Sequence, residues 1–445
     1  MNHWPNIYII NRKFTSIQYI FNRLQEHGFK CYVAGGAVRD VLMQRKPNDF
    51  DILTNASIEQ INSVFSGQKV KKVGKTFPVC IVNGIEISSG RTKFDKATFP
   101  KSDLAKRDFT INAMAYDPIK NKIIDPFDGI KDIERRTIRF VNNPEKRIKE
   151  DPVRMVRACR FAAMMEGKIS QDSLEAIIAY RNLLNLAVAK ERIGHEIIKA
   201  MVFEKPSLFF KALKNTRLLS KIFSSLDRCY DLDGGPHHGE TVFEHCMLVG
   251  DAIAPKFSIL RLAGFLHDAG KFDTAKIKEG KLTFPGHEKY TNTVVNDLTK
   301  LKFSTRDITY IQSLIKSHMR PLTHESTPKA VRRLLAMLDG YGLDYKDFMR
   351  MRIADKRGNL SKNPYTLYEI KIRLQKIFTE FSHQTTLRTN QLKLTGSDII
   401  KVLALSPGPK IGRIKQILLE KVLDDPSLNN YDDLKKLCLS LKIEK

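Results

Sequence analysis

The hydrophobic period changes once along this chain, and that change constrains the fold more than any other feature. Up to about residue 140, helical and strand spacings alternate. The stretch SIQYIFNRLQEHGF sets Ile17, Ile20, Phe21 and Leu24 at helical spacing, and Gly28 suits a C-terminal stop. KCYVAGG reads as a short strand running into a turn, and NDFDILT as a second strand. NASIEQINSVF opens a helix with a capping box made by Ser57 and Gln60. FPVCIVNGIEIS reads as a hairpin turning on Asn83-Gly84. After residue 145 the strand signals fade, and EDPVRMVRACRFAAMM, SLEAIIAYRNLLNLA and most of the remaining chain carry helical spacing. The pattern predicts an α+β chain: a head of mixed sheet plus helices, then a long all-α neck and body. LDGGPHHG, residues 232–239, reads as a linker between helical modules. No internal repeat or low-complexity segment is present.

At 445 residues the chain has room for about three domains. It carries 75 Lys and Arg against 49 Asp and Glu, a formal charge of +26. A globular chain this basic meets a polyanion or else merely solvates its lysines. No compact basic amphipathic helix with a lipid anchor is evident, so nucleic acid is preferred to a membrane surface. Six scattered cysteines with no C-x-x-C pair read as reduced, buried thiols of a cytosolic protein. No secretory leader and no apolar run of about 18 residues is evident, so the expected setting is cytoplasmic, with no membrane partner.

The chemistry concentrates in GGAVRDVLMQRKPNDFDILT, residues 35–54. If NDFDILT is a strand, Asp49 and Asp51 project from one face, and Phe50 and Ile52 point the other way into a core. Two carboxylates this close need a cation between them, and Mg2+ is the hard, phosphate-loving choice. A D-x-D pair alone is more often a solvated strand face. Here Gly35 and Gly36 follow a strand and open a helix, which presents backbone N–H groups to an anion, and Arg39 adds charge. Glu86, on the adjacent hairpin, is a candidate third carboxylate.

GGAVRD…NDFDI resembles the bacterial and eukaryotic class of tRNA nucleotidyltransferases and their poly(A) polymerase relatives, in the polymerase-beta-like superfamily. KRDFTINAM, Lys106 to Met114, is similar to the family's ribose-contacting motif. IIDPFDGIKDIERRTIRFV, EDPVRMVRACRFA and ERIGHEIIKAM resemble the head-to-neck link, the base-reading motif and the neck motif in the family's order. The resemblance continues through LTGSDIIKVLALSPGPKIGRIKQILLEKVL. It implies template-independent addition of CCA to the 3′ end of tRNA from CTP and ATP, with pyrophosphate released. Asp49 and Asp51 would be catalytic and hold Mg2+; Gly35, Gly36 and Arg39 would hold the triphosphate. Arg107, Asp108 and Asn112 would bind the nucleotide near its ribose. Asp151 and Arg154 would read the base, and Arg157 and Arg160 would meet phosphates or form structural ion pairs. Local chemistry is compatible: Asp151 suits an N-cap, Pro152 the first helical position, and residues i and i+3 share a helix face.

Seven of the 11 histidines lie between His237 and His324. His245 in FEHC, His267 and Asp268 in FLHDAGK, His287 in PGHE, His318 in KSHM and Asp355 in IADKRG resemble the HD phosphohydrolase domain. The resemblance implies that they converge on one or two divalent metals acting on 2′,3′-cyclic phosphates or nucleotide monoesters. Lys271 is either a phosphate contact or a helix-end cation.

The expected domains are a catalytic head at 14–140, a nucleotide- and RNA-binding neck at 141–230, an HD domain at 236–360 and a tRNA-binding helical tail at 361–445. The expected partners are tRNA, CTP and ATP, with no stable protein partner. Three alternatives stay open. CC-only addition is suggested by the short SSGRTKFDKATFPKSDLA stretch, where Gly90 replaces an aromatic before Arg91. The others are a poly(A) polymerase and a non-transferring RNA-binding phosphohydrolase.

Overall fold

The computed structural model describes residues 12–47, 49–68, 70–73, 79–89, 98–382 and 387–441, which divide into two compact units, Met1–Lys221 and Ile222–Lys445. Gly90 and Arg91, with residues 92–97 of the short stretch before KRDF, lie outside the described residues.

In the first unit, β1 (Cys31–Ala34), β2 (Asp51–Thr54), β3 (Lys71–Val73), β4 (Val79–Val82), β5 (Ile85–Ser89), β6 (Ala115–Asp117) and β7 (Lys122–Ile124) form one sheet. Its order is β3-β4-β5-β2-β1-β6-β7. β2 and β5 run parallel and the other neighbours antiparallel, so the sheet is mixed, as expected. Ala34 pairs with Asp51, and Asp51 with Glu86, so these three residues form one row across the sheet. Alternation along the strands sends Val33, Ile52 and Ile87 to one face. There α1 (Arg12–Glu26) packs with Ile17, Ile20, Phe21 and Leu24. Ile20 and Leu24 are fully buried, each contributing ~2 kcal/mol of apolar burial. The opposite face holds Tyr32, Ala34 and Leu53 against Phe99, Leu104 and Val141.

The local expectations for the head hold. α2 (Gly36–Leu42) follows β1 directly. α3 (Ile58–Val64) begins with the capping box, Gln60 N donating to Ser57 Oγ at 3.2 Å and Ser57 N to Gln60 Oε1 at 2.8 Å. The β4–β5 hairpin turns on Asn83 (φ 50°) and Gly84 (φ 76°), the two positive values of a type I′ turn.

Further helices of the unit are α4 (Lys101–Leu104), α5 (Gly129–Glu134), α6 (Pro144–Glu150), α7 (Val153–Met164), α8 (Gln171–Tyr180), α9 (Leu183–Leu186), α10 (Lys190–Ala200) and α11 (Ser207–Asn215). α7 buries Val153, Met155, Val156, Cys159 and Phe161, and α10 packs against it.

The second unit is built around helices Val242–Ala252, Ser258–Leu266, Thr305–Ser317 and Tyr345–Gly358. A further core joins Leu394, Ile399, Leu418, Leu434 and Cys438 from the C-terminal helices. Two features depart from the all-α reading of the chain beyond the head. Thr137–Ile138 pairs in parallel with Lys168–Ile169, and Lys276–Lys278 forms a hairpin with Lys281–Thr283. Strands of two or three residues are too short to impose a period of two on the sequence. The segment read as a linker is also tied down. Asp233 bridges to Thr241, and Asn359 Nδ2 donates to the carbonyl of His237 at 3.1 Å.

All six cysteines are free and buried, as expected. Burial pushes the Cys159 thiol up to about 12, which keeps it protonated and inert. Among the described residues no helix is long and apolar enough to cross a membrane.

Candidate active sites, one in each unit

Gly35 ends β1 with φ at +76°, a conformation side chains other than glycine rarely adopt. A Cβ there would also collide with the Arg107 guanidinium and would lie 3.7 Å from Asp51 Oδ2. The turn therefore brings Arg107 and Asp51 over the backbone at Gly35, and Arg39 over Gly36. Phe50 and Ile52 pack into the α1-side core as expected, and Asp51 stands at the first position of β2 on the other face. Asp49 is exposed and lies two residues ahead of that strand, so the ladder is shorter than the sequence suggests. Glu86 is exposed and in parallel register with Asp51.

Arg39 is nearly buried and already engaged. It donates through Nη1 to Asn112 Oδ1 at 2.6 Å and through Nε and Nη2 to Asp40 at 2.9 and 2.7 Å. Its guanidinium stacks 5.0 Å from the Phe161 ring centroid. Asn112 Nδ2 in turn donates to Asp108 Oδ1 at 3.0 Å, joined by the Phe109 N–H at 2.9 Å. Asp108 Oδ2 takes two bonds from Arg157, at 2.9 and 2.5 Å. Burial alone would raise the Asp108 pKa, but the Arg157 charge and these hydrogen bonds outweigh it and hold the carboxyl at about 2. Arg157 also lies 3.5 Å from Glu196, and Arg160 Nε donates to Glu196 at 2.5 Å. The structural ion pairs considered for Arg157 and Arg160 are thus present.

Asp151 ends α6, and α7 starts at Val153, one residue later than the N-cap reading. Its carboxylate still accepts the Val153 N–H, at 3.3 Å. Asp151 and Arg154 do not pair with each other. Arg154 Nη1 donates to Glu150 and to the Arg147 carbonyl, both at 3.0 Å. Asp151 is gripped by both Arg192 Nη atoms, at 3.0 and 2.6 Å.

A cleft of about 520 Å³ gathers Gly36, Arg39, Asp51, Arg107, Asp108, Asn112, Asp151, Arg154 and Arg157. Of the remaining head candidates, Gly35 meets the cleft through Arg107, Arg160 lies behind Phe161, and Asp49 is not on its lining. Sequence reasoning missed its other wall, made by Arg192, His195, Glu196 and Lys199 of α10. The signal was legible: those positions step 3, 1 and 3 residues, a polar stripe on a helix whose Ile193 and Ile197 are buried.

The second unit brings all six HD candidates together. Asp268 is central: its Oδ1 lies 3.0 Å from His287 Nε2 and 3.4 Å from His318 Nε2, its Oδ2 3.4 Å from His267 Nε2 and 3.7 Å from His245 Nε2. Asp355 Oδ1 closes the group at 3.1 Å from His245 and 3.8 Å from His267. Each Nδ1 faces a carbonyl: Gly358 for His245, Gly264 for His267, Phe284 for His287 and Ile315 for His318. In a neutral ring, as a metal ligand must be, such a bond places the proton on Nδ1 and leaves the Nε2 lone pair pointing inward. His267 Nε2 is buried with no hydrogen-bond partner among the described residues, an orphan that a cation would satisfy. Two overlapping sets within this cluster, His245–His267–Asp355 and His267–Asp268–His318, each bring three ligand atoms within 4.8 Å of one another.

Burial would raise the pKa values of Asp268 and Asp355, but the surrounding histidines hold both well below the carboxylate range. For His245, burial pulls the value down, while Asp355 and Glu240 bring it up to about 9. Glu240 was missed. It directly follows the segment read as a linker and reaches His238 Nδ1 at 2.8 Å and His245 Nδ1 at 3.1 Å. Lys271 Nζ sits 2.8 Å from Asp268 Oδ2, an ion pair on a cavity of about 530 Å³ that also presents Phe284, Tyr365, Arg352 and Lys356.

Comparison with known proteins matches three family models: a poly(A) polymerase head domain over residues 31–139, a "probable RNA and SrmB- binding site of polymerase A" over 168–230, and an HD domain over 237–369. A CCA-adding enzyme of Ligilactobacillus salivarius is 28% identical over 92% of this chain and 93% of its own length. A CCA-adding enzyme of Bacillus pumilus is 36% identical over 48% of this chain, and poly(A) polymerase I of Haemophilus influenzae 31% over 46%. For these two the match spans about half of the relative, 56% and 51%. The fold matches a Bacillus stearothermophilus CCA-adding enzyme solved with CTP, at TM-score 0.70 and 22% identity over 97% of this chain and 98% of that one. A Thermotoga maritima CCA-adding enzyme complexed with tRNA matches at TM-score 0.58 and 18% identity, over 98% and 97%.

Proposed function

Since the chain belongs to the tRNA nucleotidyltransferase family that holds the CCA-adding enzymes and poly(A) polymerases, and carries an HD domain, we propose that it adds CCA to the 3′ end of tRNA from CTP and ATP. The 3′-hydroxyl oxygen of the RNA bonds to the nucleotide α-phosphorus, and the bond to pyrophosphate breaks. The observation that carries this reading is the single cleft in which Asp51, the Gly35-Gly36 turn, Arg107, the Asp108–Arg157 pair and the Asp151–Arg154 set face one another.

In this reading Asp49 and Asp51 hold Mg2+, for which an all-carboxylate donor set is the natural match. Such an ion would supply neutralisation of triphosphate charge and easier ionisation of the attacking hydroxyl. The turn at Gly35-Gly36, with Arg107 laid across it, seats the triphosphate. Arg39 acts one step back, orienting Asn112 through the 2.6 Å bond, and Asn112 and Asp108 lie at the ribose. Asp151 accepts from the exocyclic amine that cytosine and adenine share, and Arg154 donates to the neighbouring ring position. The basic neck and the 361–445 tail hold tRNA by backbone and shape.

His245, His267, Asp268, His287, His318 and Asp355 would hold a divalent metal, and a water activated by it would serve as nucleophile for phosphoester hydrolysis. Its mixed imidazole and carboxylate donors suit a transition metal, with 2′,3′-cyclic phosphates and nucleotide monoesters as substrates. The 14–140, 141–230, 236–360 and 361–445 segments are the functional domains, and the setting is the cytoplasm.

The test is extension of labelled tRNA lacking its 3′ end, with Mg2+ and single nucleotides. Growth by two residues with CTP, and by one more after ATP, is the expected result. A product that stops at two cytidines, whatever ATP is added, establishes CC-only addition, which the short stretch after β5 favours. Long adenosine tails would make it a poly(A) polymerase. No growth, with phosphoester hydrolysis retained, would leave a phosphohydrolase whose head only grips RNA. Asp51→Ala should abolish growth and spare tRNA binding in a gel-shift assay.

A further inference from the structure

Two residues that must read one base edge carry opposite charges and sit three positions apart, a spacing at which Asp and Arg pair with each other. Such a pair would occupy both readers and leave nothing for a base. The structure avoids this by giving each a separate outside partner. Glu150 and the Arg147 carbonyl hold Arg154. Arg192, from α10, holds Asp151 by two parallel bonds of 3.0 and 2.6 Å. Arg192 lines the same cleft, and Asp151 remains partly accessible at 27% of its side-chain surface.

We propose that Arg192 is a positioning residue for nucleotide choice: its fork-to-fork grip holds the Asp151 carboxylate away from Arg154, in the plane where it accepts an exocyclic amine. The inference rests on the reading that Asp151 and Arg154 read the base. A carboxylate has two oxygens and about four lone-pair sites, so the two Arg192 bonds and the Val153 N–H still leave acceptor capacity at the cleft. Cytosine and adenine offer an amine to that capacity, while uracil and guanine offer a carbonyl oxygen, which a fixed carboxylate repels. Rotational freedom at Asp151 would weaken this repulsion, because the carboxylate would turn to Arg154 and uncover the site. A lysine at 192 would keep the charge and lose the fork, since an ammonium is a point charge without a second parallel donor.

The experiment compares kcat/KM for CTP and UTP, on tRNA lacking its 3′ end, in the wild type, Arg192→Ala, Arg192→Lys and Asp151→Ala. Thermal melting confirms that each variant is folded, and Arg192→Lys decides the matter if Arg192→Ala is not. The expected result is a CTP/UTP ratio lowered about tenfold in both Arg192 variants, at the low end of what a bidentate base contact provides. A general structural defect would lower both nucleotides together and leave the ratio unchanged. An unchanged ratio in the Arg192 variants with a collapsed ratio in Asp151→Ala would overturn the role of Arg192 and keep the base reading. An unchanged ratio in Asp151→Ala would overturn both.

Discussion

Replacing Asp108 with Asn isolates the ion pair that joins the KRDF motif to α7. In the folded chain Arg157, Asn112 and the Phe109 N–H bring the Asp108 carboxyl from the usual 3.8 to about 2 despite burial. At about 1.4 kcal/mol per tenfold change in proton affinity, this amounts to ~2–3 kcal/mol of stability at neutral pH. The sign comes from the direction: a lowered carboxylate pKa gives stability that is complete above 3.8 and is lost as pH falls towards 2. Asp108→Asn is close in shape, so the loss is electrostatic, and Arg157 keeps only Glu196, 3.5 Å away. Urea unfolding measured by circular dichroism should show the first transition moved down by ~1 M, given a slope of about 2–3 kcal/mol per molar. The offset between wild type and variant should stay constant from pH 7 to pH 5. A shift below a few tenths molar, or an offset already shrinking between pH 7 and pH 5, would refute the reasoning, because Asp108 would then titrate in or above the ordinary carboxylate range.

The same geometry sets three further outcomes. Gly35→Ala forces a side chain into a φ of +76° and into the Arg107 guanidinium, so kcat/KM for CTP should fall about a hundredfold, measured by single-nucleotide extension. Glu196→Gln removes the shared counter-ion of Arg157 and Arg160, and should cost ~2–3 kcal/mol in urea unfolding; an unchanged midpoint would mean these pairs are idle. His267→Ala takes away an orphaned inward nitrogen, so Mn2+ retained after gel filtration, read by atomic absorption, should drop while CTP addition stays within about twofold.

Features that the chain writes locally could be read in advance. The Ser57–Gln60 box, the Asn83-Gly84 turn and the alternation of Phe50, Asp51 and Ile52 depend on neighbours a few positions away, and each was legible. The HD ligands were legible as residue types in order, though not their closeness, which arises from separate segments of the chain. Arg192, Glu196 and Glu240 were not picked out, because the first two make contacts 36 to 41 residues away, and the third directly follows a glycine-rich stretch that looks like spacer. The Lys276–Thr283 hairpin was hidden for a different reason: it is lysine-rich, mostly exposed and too short for a period to register.

Each inward histidine of the second unit is tethered at its far nitrogen to a main-chain carbonyl: His267, His287 and His318 to the carbonyl three residues earlier, and His245 to Gly358 of another helix. The proposed metal pocket is thus wired to the backbone itself. Sliding any one of those segments by an ångström would swing its imidazole away from the others, so metal retention would report on the integrity of the whole bundle.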